Sequence, residues 1–210
     1  MIAFDVPAYL EELSATIQKL PLPAIEHLVR VFLEAYENRR TIFLFGNGGS
    51  AALASHMTCD LGKGTMPVLG KRLRAVALTD NVALITAWAN DTRYENIFAE
   101  QLENLLQPGD VAFAISASGN SPNILAALSF ARQAGAITAG ITGFEGGKMK
   151  SLCDVCVVVP SDNMQIVEDL HLSIAHSVFR ALRQEIQATN HAALALTADV
   201  PEHSLRCLPG

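Results

Sequence analysis

Ile115-Ser116-Ala117-Ser118-Gly119-Asn120-Ser121-Pro122 puts three hydroxyls, a glycine and a carboxamide into eight residues. The apolar run Val111-Ala112-Phe113-Ala114-Ile115 reads as a buried parallel strand, and Asn123 to Gln133 carries helical apolar spacing. The segment therefore joins a strand end to a helix start, where unpaired backbone N–H groups meet the positive end of the helix dipole. Hydroxyls added there make an anion cradle, and phosphate is the usual biological occupant. Pro122 fits the first helical position, with Ser121 as N-cap. A cap alone needs one hydroxyl, so Ser116, Ala117, Ser118, Asn120 and Ser121 are assigned to a phosphate-binding loop.

A second turn of this kind is Gly46-Asn47-Gly48-Gly49-Ser50. Its glycines allow close backbone approach to a ligand, and Ser50 is expected to cap the next helix. It is not a dinucleotide fingerprint, because Ala51 stands where the last glycine of GxGxxG belongs. Two loops at the carboxyl ends of parallel strands can flank one crevice, the place where open α/β sheets bind ligands. Asn90 and Asp91 form a polar turn before Arg93-Tyr94. They suit hydrogen bonds to sugar hydroxyls and, equally, a cap for the helix that follows.

The ionisable residues fall into two groups. His56 and Asp60 are four apart, so they share a face of the helix after the first strand. The last helix carries Gln165, Glu168, Asp169, His171 and His176. Gln165 and His176 point the same way, Glu168 falls on the flank of that face, and His171 is expected at the surface or an interface. His56, Asp60, Glu168 and His176 together make a two-histidine, two-carboxylate set suited to a divalent metal such as zinc. Glu168 and His176, however, are separated by ~12 Å of helix rise, against metal–ligand bonds of ~2 Å. Either the helix starts after Glu168, or different subunits contribute, or only one of the two binds. Cys153-Asp154-Val155-Cys156 runs into a strand and has no second pair, so both cysteines read as small buried apolar residues.

These residues need a frame. Pro7–Leu20 and Ala24–Asn38 have one-faced apolar spacing, interrupted by Pro21-Leu22-Pro23. Strands are predicted at Thr41–Phe45, Leu73–Leu78, Asp110–Ile115, Ala136–Ile141 and Val155–Val159. Helices are predicted at Ser50–Leu61, Val82–Ala89, Tyr94–Leu106, Asn123–Ala134 and Met164–Gln187. The alternation predicts an α/β fold, a parallel sheet covered on both faces. The organisation expected is a helical pair at 1–40, packing on the core or an oligomer interface, a sheet domain at 41–187, and a tail at 188–210 that is loose or docks on a neighbour.

Hydrophobic residues make up 50% of the 210, which supports a sizeable core. The net charge of −6 and the lack of a basic run argue against direct nucleic-acid binding. The N-terminus lacks the basic and apolar regions of a secretory signal, and no apolar run reaches the ~20 residues of a membrane helix, so the expected setting is cytoplasmic.

In this order and spacing, Gly46-Asn47-Gly48-Gly49-Ser50, Ala89-Asn90-Asp91, Ser116-Ala117-Ser118-Gly119-Asn120-Ser121 and the His171/His176 helix resemble the sugar isomerase (SIS) domain proteins, within them the phosphoheptose isomerases. The resemblance runs from about Leu10 to Gln187. It implies a five-stranded parallel sheet flanked by helices, an N-terminal helical pair, and a homotetramer with active sites at subunit contacts. It implies that Ser116, Ser118 and Ser121 grip a substrate phosphate, and that Asn47, Gly48, Gly49, Asn90 and Asp91 hold the sugar chain. His56 matches a metal ligand, and His176 matches a ligand that also serves as acid and base. Asp60 falls where these isomerases carry a glutamate base, and Glu168 where they carry a glutamine. Asp60, Glu168 and His176 are thus the candidate catalytic residues for aldose–ketose isomerisation of sedoheptulose 7-phosphate or a near relative. The alternative within the same family is a non-catalytic protein that binds phosphosugars or a replication initiator.

Overall fold

The protein, described by a computed structural model over residues 5–65 and 71–198, contains one five-stranded sheet between two helical layers. Two helices lead, α1 (Val6–Ile17) and α2 (Leu22–Glu37). The alternating part follows as β1 (Thr41–Gly46), α3 (Gly49–Cys59), β2 (Arg74–Ala77), α4 (Val82–Asp91), α5 (Ala99–Leu105), β3 (Val111–Ser116), α6 (Pro122–Gln133), β4 (Ile137–Thr142), β5 (Val155–Val158) and α7 (Met164–Ala198). All four strand pairings are parallel, in the order β2-β1-β3-β4-β5. No described helix is long and apolar enough to cross a membrane.

Every residue of β1 and β3 is buried, which is why these segments read as unbroken apolar runs. One face of the sheet packs against α2, α3 and α7 through Phe32, Met57, Leu170 and Val178, with Phe32 edge-on to Phe113 at 5.2 Å between ring centroids. The other face packs against α5 and α6 through Phe45, Phe98, Leu102 and Leu128. Both leading helices join this chain's own core. Leu28 and Phe32 of α2 are fully buried, and the Tyr9 hydroxyl of α1 donates to Asp169 of α7 at 2.5 Å.

Asp110 ties the two central strands together at their N-terminal end. Its buried carboxylate accepts the Thr41 N–H at 2.8 Å and the Gln107 N–H at 2.9 Å. Asp110→Ala leaves both amides without their acceptor, so it should cost about 2 kcal/mol of stability, measurable by urea denaturation.

Two elements and the cysteine pair differ from expectation. The helix predicted over Tyr94–Leu106 is a 3₁₀ turn at Tyr94–Asn96 followed by α5, with Ile97 and Phe98 seated in the core at the bend. The first eleven residues of the expected tail continue α7 as far as Ala198. That stretch holds no glycine or proline and is rich in Ala and Leu, so propensity carries the helix where amphipathic spacing fades. The remainder of the tail, with Cys207, lies outside the described residues. Cys153 and Cys156 are half-buried free thiols against the second core layer, close enough for Cys156 to hold the Cys153 thiol pKa high by hydrogen bonding.

Candidate active site

The strand order creates the site. The chain leaves β1 toward β2 on one side and leaves β3 toward β4 on the other, so a crevice opens between the C-terminal ends of β1 and β3. Gly46 and Ile115 pair at this point, which brings the two glycine- and serine-containing loops side by side. A reciprocal amide pair clips them together. Asn47 Nδ2 donates to Asn123 Oδ1 at 2.9 Å, and Asn123 Nδ2 donates to Asn47 Oδ1 at 2.8 Å. The Tyr94 hydroxyl donates to the same Asn47 oxygen at 3.1 Å.

The β1 loop is sharper than expected. Gly48, at φ +55°, is the N-cap of α3, and Ser50 lies one residue inside the helix rather than capping it. A Cβ at Gly46 would stand 2.7 Å from Ser50 Cβ, so the turn needs a residue without a side chain there. Ser50 is thereby freed and buried against the crevice.

The β3 loop is built as an outward-facing donor set. Gly119, at φ +62°, donates its N–H to Ser116 Oγ at 3.2 Å, and the Asn120 N–H reaches Ser118 Oγ at 3.3 Å. Since both serine oxygens accept from backbone, their O–H groups are left to donate to a ligand. Ser121 is the N-cap of α6 with Pro122 at the first position, as expected, yet its side chain makes no capping bond. Its hydroxyl therefore remains at the mouth of the helix. Asn120 is spent on bracing: Nδ2 donates to the Ser118 carbonyl at 2.9 Å and Oδ1 accepts the Lys148 N–H at 3.0 Å. Ala117 anchors the loop through its carbonyl, which accepts the Gly143 N–H at 2.9 Å. Asn47, Ser50, Ser116, Ser118, Ser121 and Glu168 line a cavity of about 160 Å³ at this cradle.

A larger cavity of about 380 Å³ adjoins it and shares Ser50 and Glu168. His56, His171 and His176 line its imidazole side, between α3 and α7. His56 Nε2 and His176 Nε2 are 2.9 Å apart, and Asp60 Oδ2 lies 3.4 Å from the first and 3.8 Å from the second. Asp60 opens a π turn, Asp60–Gly64, that follows α3 without a break. Such turns recur at functional sites because they re-aim side chains within a continuing helix.

Two imidazole nitrogens and one carboxylate oxygen within 4.8 Å of one another fit a divalent ion of the zinc class. This trio comes from a single chain. Helix α7 runs unbroken through both Glu168 and His176, and it is His176 that joins the trio; the Glu168 carboxylate lies instead against the first turn of α3. A Cβ at Gly49 would stand 3.4 Å from Glu168 Oε1. Asn90 and Asp91 end α4, hydrogen-bonded to each other at 2.8 Å, and line neither cavity.

His171 corrects an expectation. It is 1% exposed rather than superficial, and neither ring nitrogen makes a hydrogen bond of normal geometry among the described residues, although the Thr142 backbone lies near enough to favour the charged ring. Burial holds its pKa down to about 4, so the ring is neutral at physiological pH. It sits in the buried stripe Val167, Leu170, His171, Ile174 and Val178, a spacing that marks it as inward-facing. Tyr94 and Asn123, the partners of Asn47, were not among the residues singled out from sequence.

The SIS domain family model matches residues 8–143. The phosphoheptose isomerase of Aliarcobacter butzleri is 36% identical over 179 residues, covering 85% of this chain and 94% of that protein. That of Paramagnetospirillum magneticum is 42% identical over 153 residues, covering 73% and 79%. Among solved structures, a phosphoheptose isomerase from Francisella tularensis superposes with a TM-score of 0.79 at 31% identity, covering 88% of this chain and all of that one. The chain belongs to the SIS domain family, in its phosphoheptose isomerase branch.

Proposed function

We infer that the protein is a phosphoheptose isomerase that catalyses aldose–ketose isomerisation of sedoheptulose 7-phosphate through an enediolate. The observation that carries this reading is the junction of the two cavities: a hydroxyl cradle at the switch point adjoins, through Ser50 and Glu168, a cavity lined by His56 and His176, with Asp60 beside those imidazoles. Phosphate held by Ser116, Ser118 and Ser121 spends its binding energy on placing the reacting carbons beside those groups. Asn47, Gly48, Gly49 and Ser50 form the wall along which the sugar chain lies, and Asn90 and Asp91, which line neither cavity, are assigned to its hydroxyls by the family resemblance alone. Asp60, beside His56 and His176, removes the proton alpha to the carbonyl, or Glu168, whose carboxylate lines both cavities, does so in its place, and His176 moves protons between the two oxygens. His56, Asp60 and His176 would hold a divalent ion, zinc by donor type. When bound, it supplies electrophilic stabilisation of the enediolate oxygen.

Assembly into a homotetramer in the cytoplasm belongs to the same reading. Supporting it, α4 buries none of its residues and exposes Val82 and Leu84, and Cys59 is an exposed free thiol suited to a reducing compartment.

The test is direct. The purified protein with its metal should convert sedoheptulose 7-phosphate to an aldose product detectable by chromatography. Ser118→Ala should raise KM about tenfold with a smaller effect on kcat, since one charge-assisted hydrogen bond is lost. Tight binding of the sugar phosphate without any turnover would instead favour a sensing role.

A further inference from the structure

The Asn47 amide is held in one orientation by a chain of contacts that starts in the backbone. The Ile124 N–H, in the first turn of α6, donates to Asn123 Oδ1 at 3.0 Å. A backbone N–H can only donate, so the Asn123 atom it meets is the oxygen. The Asn47 atom facing that oxygen at 2.9 Å is therefore the nitrogen, and Asn47 Oδ1 faces Asn123 Nδ2 at 2.8 Å. Asn123 is 2% exposed, so bulk water competes little for this pair.

Tyr94 completes the assignment. Its hydroxyl donates to Asn47 Oδ1 at 3.1 Å. A carboxamide oxygen has two lone pairs, and Asn123 and Tyr94 take both. The nitrogen has two hydrogens, and Asn123 takes one. Among the described residues no side chain or carbonyl takes the other. Asn47 lines the cradle cavity beside Ser116, Ser118 and Ser121. It can thus offer a ligand one N–H and no free lone pair, which suits the oxygens of a phosphosugar. Packing does not account for Tyr94. The residue is 57% exposed and belongs to neither core layer, and the bond to Asn47 is the one hydrogen bond its side chain makes among the described residues.

We propose that Tyr94 is a positioning residue that fixes the Asn47 amide as a hydrogen-bond donor to an oxygen of the bound phosphosugar. It acts through Asn47 and is assigned no contact with the substrate. The inference rests on the isomerase reading of the cradle and deepens it. Without the phenol, Asn47 Oδ1 regains a lone pair, and the amide is held on one side only. The terminal torsion of asparagine is broad, so the donor then loses its fixed direction. A neutral hydrogen bond of this kind corresponds to a change in phosphosugar affinity of about fourfold.

A double-mutant cycle on the full chain tests this, with wild type, Tyr94→Phe, Asn47→Ala and the double variant. Affinity for sedoheptulose 7-phosphate is read by isothermal titration in chelator, and kcat and KM by isomerase assay with metal. Tyr94→Phe should weaken binding and raise KM about fourfold, with kcat within about twofold of wild type. Its urea midpoint should match wild type, since no buried group is lost. In the Asn47→Ala background the same substitution should change affinity by less than about 1.5-fold, because the group through which Tyr94 acts is gone. Unchanged affinity in Tyr94→Phe would overturn the proposal. So would a loss that persists in the Asn47→Ala background, which would place the phenol on the substrate itself. Ser118→Ala is the control for the underlying reading. If it leaves phosphosugar affinity intact, the cradle itself has been misplaced, a failure distinct from that of the Tyr94 role.

Discussion

His176→Ala should lower kcat for sedoheptulose 7-phosphate by roughly 10²–10⁴-fold, the range for loss of a positioned acid–base group. The effect is expected in kcat because His176 lies away from the cradle that supplies affinity. Its Nε2 is 2.9 Å from His56 Nε2 and 3.8 Å from Asp60 Oδ2, while the three serines line the neighbouring cavity. The side chain is about half exposed, at 51%, so truncation opens no buried void and the fold should be retained. Phosphosugar affinity measured in chelator should stay within about threefold of wild type. His56→Ala removes a donor of the same trio and should fall in the same direction. The kinetic pattern separates chemistry from binding: a fall in kcat with KM preserved places His176 at the reacting carbons. A kcat within threefold of wild type would remove it from the mechanism and leave Asp60 and Glu168 to carry the proton transfers alone.

The parts of this site that local patterning reveals are those whose physics is local. The β1 and β3 runs are continuous and apolar because both faces of those strands are covered, and each run ends at a loop of glycine, serine and asparagine. Strand alternation then yields the parallel sheet. What joins the loops is not local. The Asn47–Asn123 amide pair spans 76 residues and the Tyr94–Asn47 bond spans 47, so no window of sequence contains either. His56 and His176 are 120 residues apart, and only the packing of α3 on α7 brings their nitrogens together. The cap of α3 escapes local reading for a related reason. Serine is the stronger N-cap by preference, but the clash that a Cβ at Gly46 would make with Ser50 belongs to a turn whose path is set by the sheet below it. His171 is placed wrongly when its direction is judged only against the Gln165 and His176 face of the helix. Pointing away from that face leaves either surface or core, and the Val167, Leu170, Ile174 and Val178 spacing selects the core.

That buried imidazole gives the protein an acid sensitivity that can be isolated. His171 has a folded-state pKa of about 4, against 6.5 for the free side chain, because burial disfavours the charged ring; the Thr142 backbone pulls weakly the other way. In the unfolded chain the ring takes its proton as pH falls through 6.5, while in the folded protein it does not until about pH 4. Between these values the unfolded state binds more protons, so stability falls with falling pH and levels off below the folded pKa. Integrated over that window the loss is about 3 kcal/mol, and at 1% exposure solvent screening does little to reduce it. His171→Phe abolishes the titration and replaces two unpartnered ring nitrogens with carbon, so stability at pH 7.5 should change by less than about 1.5 kcal/mol. The measurement is urea denaturation of both proteins from pH 7.5 to pH 4, taken as a difference so that the carboxylates common to both cancel. The wild type should lose about 3 kcal/mol more than the variant over this range, with the divergence beginning near pH 6.5. Parallel curves would mean that the folded protein protonates His171 as readily as the unfolded chain does, so that burial does not set its pKa.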